Sequence, residues 1–270
     1  MLRDITIGQY YPANSVIHRL DPRAKLMGVL SFVVSLFVFR GLAGFVSVTL
    51  ALVLIIHLSK VPFDYMVRGL KPIVVILIIT VIFNLFLTPG EPLVEFWKLR
   101  ITWEGLEHAI LMTIRLIYLI LGSSVLTLTT TPNQLTDGME QALKPLNKIH
   151  VPVHEISMMM SIALRFIPIL IEETDKIMKA QLARGADFES GNLIKKAKSM
   201  VPLLVPLFVS AFRRANDLAL AMEARCYRGG EGRTKMKPLK YCRRDMVAYL
   251  IIGAYFMAVV LLRMFLYFGR

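Results

Sequence analysis

Apolar residues run along this chain in blocks of membrane-span length, separated by short charged or proline-bearing stretches and concentrated in residues 26–130 and 246–268. A bilayer core about 30 Å thick takes roughly 20 apolar residues at helical rise. Residues 25–58 exceed one span, and Arg40-Gly41 at mid-length, with Gly44 close behind, predicts two shorter helices joined by a tight turn. Residues 70–88 predict a third span ended by Pro89-Gly90, residues 109–130 a fourth and 246–268 a fifth. Because 25–58 is short for two full crossings, the count is about five.

The pattern changes between those regions. Thr131-Pro132-Asn133-Gln134 reads as a helix start, with a hydroxyl at N-cap, proline at N1 and a glutamine placed to reach back. After Pro145 and Pro152, residues 153–184 predict a long helix, apolar to Ile171 and then amphipathic, with Gly185 where a C′ glycine sits. Past a loop at Ser190-Gly191-Asn192, residues 193–227 predict a second long helix with Pro202 and Pro206 early, and Gly229-Gly230 ends the segment. A shift of 41 residues lays Ala183-Arg184-Gly185 on Ala224-Arg225-Cys226, so one tripeptide type closes both helices. The apolar stretches 156–171 and 199–212 are shorter than a usual span. The predicted picture has them packed beneath the membrane body, with both polar ends projecting from it. The fold class is therefore an all-α polytopic membrane protein with about five transmembrane helices plus long cytoplasmic helices, divided at 1–130, 131–245 and 246–270.

Charge orients the chain. Lys and Arg outnumber Asp and Glu four to two in Met1–Lys25, three to one in Ser59–Lys71 and nineteen to twelve in 131–245, whereas Pro89–His108 reverses to two against four. By the Lys/Arg bias the first three face the cytoplasm and the last faces outward, with the N-terminus inside. The formal charge of +13 is thereby accounted for by topology rather than nucleic acid. Composition agrees with a bilayer: 56% of residues are hydrophobic and mean hydropathy is +0.59, above the 45–50% or so of soluble domains. The N-terminal residues hold no apolar core with a cleavage site, so the first span is expected to direct insertion into the bacterial inner membrane. Cys226 and Cys242 lack CxxC spacing and read as ordinary thiols.

Candidate chemistry is sparse. No G-x-x-x-x-G-K phosphate loop occurs, so ATP hydrolysis by that route is excluded and the chain is expected to be non-catalytic. His150 and His154 are four apart, but Pro152 interrupts the helix that would align them, and no metal site is assigned. Arg115 lies inside an expected span, where a charge must face protein or water or snorkel to the interface. Arg184 and Arg225 carry the sharper reading. A guanidinium is permanently charged and offers a planar donor fork matched to carboxylates. The small residues beside it keep a helix tip narrow enough to enter a groove on a partner. Simple compensation of the helix dipole, worth about 0.3–1 kcal/mol, explains one such arginine better than two. An intramembrane enzyme lacks a nucleophile and base among the polar span residues, chiefly Asn84 and Arg115. A conventional permease that binds substrate itself is the other alternative, and it would present one short cytoplasmic helix per half.

The residues carrying these features resemble the transmembrane T component of energy-coupling factor transporters. The likeness rests on Gly8-Gln9-Tyr10, Ser15, His18-Arg19-Leu20-Asp21-Pro22-Arg23 and Lys25, on Thr130-Thr131-Pro132 and Arg165-Phe166-Ile167-Pro168, and on Gln181–Gly185 and Glu223–Arg233. The resemblance implies that Ala183, Arg184, Gly185, Ala224, Arg225 and Cys226 dock into two cytoplasmic ABC-type ATPases. It also implies that Asp21, Pro22, Arg23, Arg165 and Pro168 are structural or interface positions, and that a separate membrane-embedded S component binds a vitamin or other micronutrient. ATP and Mg would sit on the ATPases, with no cofactor on this chain. Cys226 departs from the family's glycine.

Overall fold

The computed structural model describes residues 10–39, 42–90, 92–96, 99–188, 192–230, 236 and 238–268. The expected turn at Arg40-Gly41, the residues Gly8 and Gln9, the loop residues Ser190-Gly191 and the stretch Glu231–Arg233 lie outside them. Two compact units emerge, one drawn from Gly8–Gly138 and Leu239–Arg270, the other from Met139–Pro238.

In the first unit, helices α1 (Pro22–Val38) and α2 (Leu42–Ser59) replace the single long block of 25–58. Their 17 and 18 residues give about 26 Å each at helical rise. The third expected span is preceded by a short helix, α3 (Phe63–Arg68), and a 3-10 turn at Lys71–Ile73 that leads into α4 (Val74–Leu87). Pro72, which has no amide to continue an α-helical ladder, sits in that tighter turn. An antiparallel hairpin of β1 (Pro92–Phe96) and β2 (Leu99–Thr102) follows, which the sequence reading treated only as an outer loop. Helix α5 (Trp103–Thr129) begins six residues before its expected apolar start, because Thr102 caps it through its hydroxyl, 3.1 Å from the Gly105 amide. Helix α6 (Pro132–Leu143) opens with the predicted capping box: Gln134 N–H donates to Thr131 Oγ1 at 3.3 Å and Thr131 N–H to Gln134 Oε1 at 3.2 Å. Helix α10 (Arg243–Phe268) closes the unit.

Its core joins Phe32, Leu36 and Phe39 of the α1 region to Phe45, Val48 and Leu52 of α2, Leu121 and Val125 of α5 and Val259 of α10. Close approach of α1 to α5 depends on Gly122, where an added Cβ would stand 2.5 Å from the Phe32 ring. Two hydroxyl pairs cross the packed faces, Ser35 with Tyr255 at 2.7 Å and Thr49 with Tyr118 at 2.8 Å. Outward positions such as Leu30, Phe37, Leu50, Ile79 and Phe83 are exposed apolar side chains, the pattern of lipid-facing surface.

In the second unit, α7 (Val153–Ala183) and α9 (Val201–Ala224) are the long helices, with α8 (Leu193–Ser199) before α9. The second predicted helix is thus two, divided at Met200, because Pro202 cannot donate into the preceding turn. Among the described residues, four helical stretches qualify as spans by length and composition: Phe63–Leu87, α5, α7 and Arg243–Phe265, with Gly44–Ser59 a shorter apolar helix. The presence of α7 in that set differs from the sequence expectation, which weighed only its apolar half.

The contacts between α7 and α9 also revise the predicted picture. Glu173 meets Ser210 and Arg214, while Gln181, further along α7, donates to the carbonyl of Pro202, earlier along α9. As one number rises the other falls, so the helices run antiparallel. Their polar ends therefore point in opposite directions instead of projecting together.

Candidate functional site

Both arginine tripeptides sit at helix ends built the same way. Helix α7 ends at Ala183, with Arg184 as C-cap. Gly185 follows in the left-handed region at φ +86°. The Gly185 N–H donates to the Leu182 carbonyl at 3.0 Å and the Ala186 N–H to the Gln181 carbonyl at 3.0 Å, the paired bonds of a Schellman cap. At the end of α9, Arg225 is C-cap and Cys226 takes the left-handed place at φ +56°. Its N–H donates to the Glu223 carbonyl at 2.8 Å, and Tyr227 N–H to the Met222 carbonyl at 3.0 Å. The 41-residue correspondence of the sequence thus extends to individual backbone hydrogen bonds. Cys226 replaces the glycine without altering the cap, at the backbone cost a side chain carries in that region.

All six residues, Ala183, Arg184, Gly185, Ala224, Arg225 and Cys226, are exposed. Among the described residues neither guanidinium has a hydrogen-bond or ion-pair partner. Each arginine therefore presents its full charge and donor set to solvent at the end of a helix flanked by alanine. Antiparallel packing separates the two. Eleven residues lead from Glu173 to Arg184 and eleven from Arg214 to Arg225, so each tip stands about 16 Å beyond that contact and the tips are on the order of 30 Å apart. Such a spacing suits two binding surfaces, not one shared groove.

Arg165 and Pro168 lie on exposed positions within α7, nineteen and sixteen residues before Arg184, and the fold brings them to neither tip. Asp21, Pro22 and Arg23 come together elsewhere, at the start of α1, where they form a clasp. Asp21 is the N-cap, accepting from the Arg23 N–H at 2.9 Å, and Pro22 occupies the first turn. The Arg23 side chain pairs with Asp21 at 3.2 Å, donates to the Leu239 carbonyl at 3.2 Å and lies 4.2 Å over the Tyr241 ring. Asp245, buried at the start of α10, accepts from the Asp21 N–H at 2.9 Å and from the Cys242 N–H at 2.8 Å. Gly138 of α6 lies against Pro22, where a Cβ would approach within 2.8 Å.

The segment before α1 is tied to the end of α5. Tyr11 N–H donates to the Leu128 carbonyl at 2.9 Å, and Lys25 Nζ to the Thr129 carbonyl at 2.9 Å, filling last-turn acceptors with a charge of the favoured sign. His18 Nε2 faces the Tyr11 carbonyl at 2.9 Å and so carries the proton, leaving Nδ1 to accept from Ser15 Oγ at 2.7 Å. Burial holds the His18 imidazole below its ordinary pKa, helped by the nearby Lys25 charge and opposed by the Tyr11 carbonyl. Most of these residues stand out in the sequence, but Asp245 does not: its only local signal is an acidic side chain in the first turn of a helix. Arg115 finds its place inside the protein. It donates to the Phe39 carbonyl at 3.1 Å, capping α1, and stands near the Phe37 and Phe45 rings. In the second unit His154 Nδ1 is 3.0 Å from Glu140, whose other oxygen accepts from Ser157 at 2.9 Å. His150 is left at the C-cap of a 3-10 turn.

Residues 13–236 match the family model described as CbiQ, cobalt transport protein. The chain is 56% identical over 252 residues to the energy-coupling factor transporter transmembrane protein EcfT of Clostridium kluyveri, covering 93% of each chain. Against the protein of the same name from Thermosediminibacter oceani the identity is 55% over 252 residues, covering 93% of this chain and 95% of that one. With that of Bacillus subtilis it is 47% over 258 residues, covering 94% and 97%.

Proposed function

The chain belongs to the family of energy-coupling factor transporter transmembrane proteins, multi-pass membrane subunits of a transporter, and on that premise we propose that it couples two cytoplasmic ATPases to a separate substrate-binding subunit. The observation that carries the reading is the pair of exposed arginines, Arg184 and Arg225, without partners among the described residues and on identically capped helix ends. Each tip docks into one ABC-type ATPase, the guanidinium fork engaging carboxylates there and the flanking alanines admitting the tip to a groove. ATP and Mg are held by the ATPases, and hydrolysis occurs on them.

When ATP draws the ATPases together, the two tips move with them. Continuous helices transmit displacement along their length, so α7 and α9 carry it to their apolar halves and from there to a membrane-embedded S component that binds the substrate. That substrate is a vitamin or another micronutrient; the description of the matched family as a cobalt transport protein adds metal ions to the class. The Lys/Arg distribution supports a cytoplasmic N-terminus and cytoplasmic arginine-bearing ends of 131–245, and the chain divides functionally at 1–130, 131–245 and 246–270. Arg165 and Pro168, exposed on α7, are available as partner contacts. The test is purification of the Arg184→Ala, Arg225→Ala double variant: both ATPases are lost and uptake is abolished while the chain still inserts. Retention of both ATPases with normal uptake overturns the docking role, and stoichiometric substrate binding by the chain alone favours a self-sufficient permease.

A further inference from the structure

The ion pair between α7 and α9 joins residues that the 41-residue correspondence makes equivalent. Glu173 maps onto Arg214, and Arg214 NH2 stands 2.6 Å from Glu173 Oε2, while Ser210 Oγ donates to the other carboxylate oxygen. In two related helices running antiparallel, equivalent residues meet only at the centre of their crossing. Their meeting here is why each arginine tip lies the same eleven residues from the contact. We propose that Glu173, Arg214 and Ser210 form the pin of a two-armed lever, fixing the register and separation of the two arginine tips.

This deepens the docking reading and rests on it. The residues are positioning residues: they act through the two arginine tips, each eleven residues further along its helix. The pair is partly exposed, with side-chain accessibilities of 22% for Glu173 and 39% for Arg214, so its contribution to overall stability is small. Its role is register. Both carboxylate oxygens are engaged, one by a fixed hydroxyl and one by a guanidinium from the next turn of the same helix, so α9 cannot slide by a turn along α7 without breaking both bonds. Gln181 and the Pro202 carbonyl, 3.1 Å apart, form a second contact on the Arg184 arm of the crossing. Without the pin, a push on one tip is taken up as sliding and the other tip does not answer.

The experiment uses the whole transporter in lipid nanodiscs, with nitroxide labels at Lys179→Cys and Leu220→Cys, exposed positions that also correspond under the 41-residue shift, in a Cys226→Gly, Cys242→Ser background. Dipolar spectroscopy is expected to give one narrow distance, on the order of 20 Å, that shifts on ATP binding. Glu173→Gln and Arg214→Met broaden it and abolish the shift, and uptake per ATP hydrolysed falls although the ATPases remain bound. The exchanged pair Glu173→Arg, Arg214→Glu recovers the narrow distance and part of the coupling. An unchanged distance in both single variants overturns the pin, as does an exchanged pair as broad as the singles. ATPase retention is read separately in the same samples, so failure of the pin with ATPases bound leaves docking intact.

Discussion

The two arginine tripeptides differ at one residue, and that difference sets opposite expectations for two substitutions. Gly185 has φ +86°, and nothing lies within 4 Å of where its Cβ would be, so Gly185→Ala meets no steric obstacle beyond its own backbone. The left-handed conformation costs an L-residue about 1–2 kcal/mol. Against this, alanine loses about 0.5–1 kcal/mol less chain entropy than glycine on folding. The net is a local destabilisation of about 1 kcal/mol, a factor of about five in the opening equilibrium. Cys226, at φ +56°, already carries that cost, so Cys226→Gly gains about the same amount. Amide hydrogen exchange resolved to single residues reads both. In Gly185→Ala the amides of residues 185 and 186 exchange about fivefold faster, and in Cys226→Gly those of 226 and 227 exchange about fivefold slower. Unchanged protection in both variants, or faster exchange in Cys226→Gly, refutes the reasoning about the caps.

Other consequences concern the membrane unit. Asp245→Ala leaves the buried Asp21 amide without its acceptor and lowers stability by about 1–3 kcal/mol, measured as a fall in the melting temperature of the detergent-solubilised protein. Gly122→Ala drives a Cβ into the Phe32 ring and costs about 1–3 kcal/mol, with Phe32→Leu in the same chain restoring part of it. His18 has a folded pKa below its unfolded value, so its contribution is full above about pH 6.5 and is lost as pH falls through that value toward the folded one. Thermal stability is expected to drop on acidification in the wild type and to drop less in His18→Gln.

Much of the fold could be read along the chain because a bilayer makes the signal strong. An apolar block has few fates, and the capping box at Thr131–Gln134 and the turn glycine at 185 were set by residues within four positions of each other. What escaped was mostly non-local. Thr102 starts α5 early through a hydroxyl that hydropathy does not register. The short hairpin of β1 and β2 has too few residues for alternation to stand out. Asp245 is 224 residues from the amide it accepts, so nothing near it marks its role, and Arg115 could not be assigned until the Phe39 carbonyl was placed beside it. The arginine tips were legible as a repeated tripeptide, but their opposite directions depend on antiparallel packing, which the pattern of each helix alone does not specify.

The claim that each arginine tip holds one ATPase is tested most directly by native mass spectrometry of the purified complex without nucleotide, counting ATPase subunits per chain. The account predicts two in the wild type, one in Arg184→Ala, one in Arg225→Ala and none in the double variant. Two ATPases retained in the double variant would contradict it.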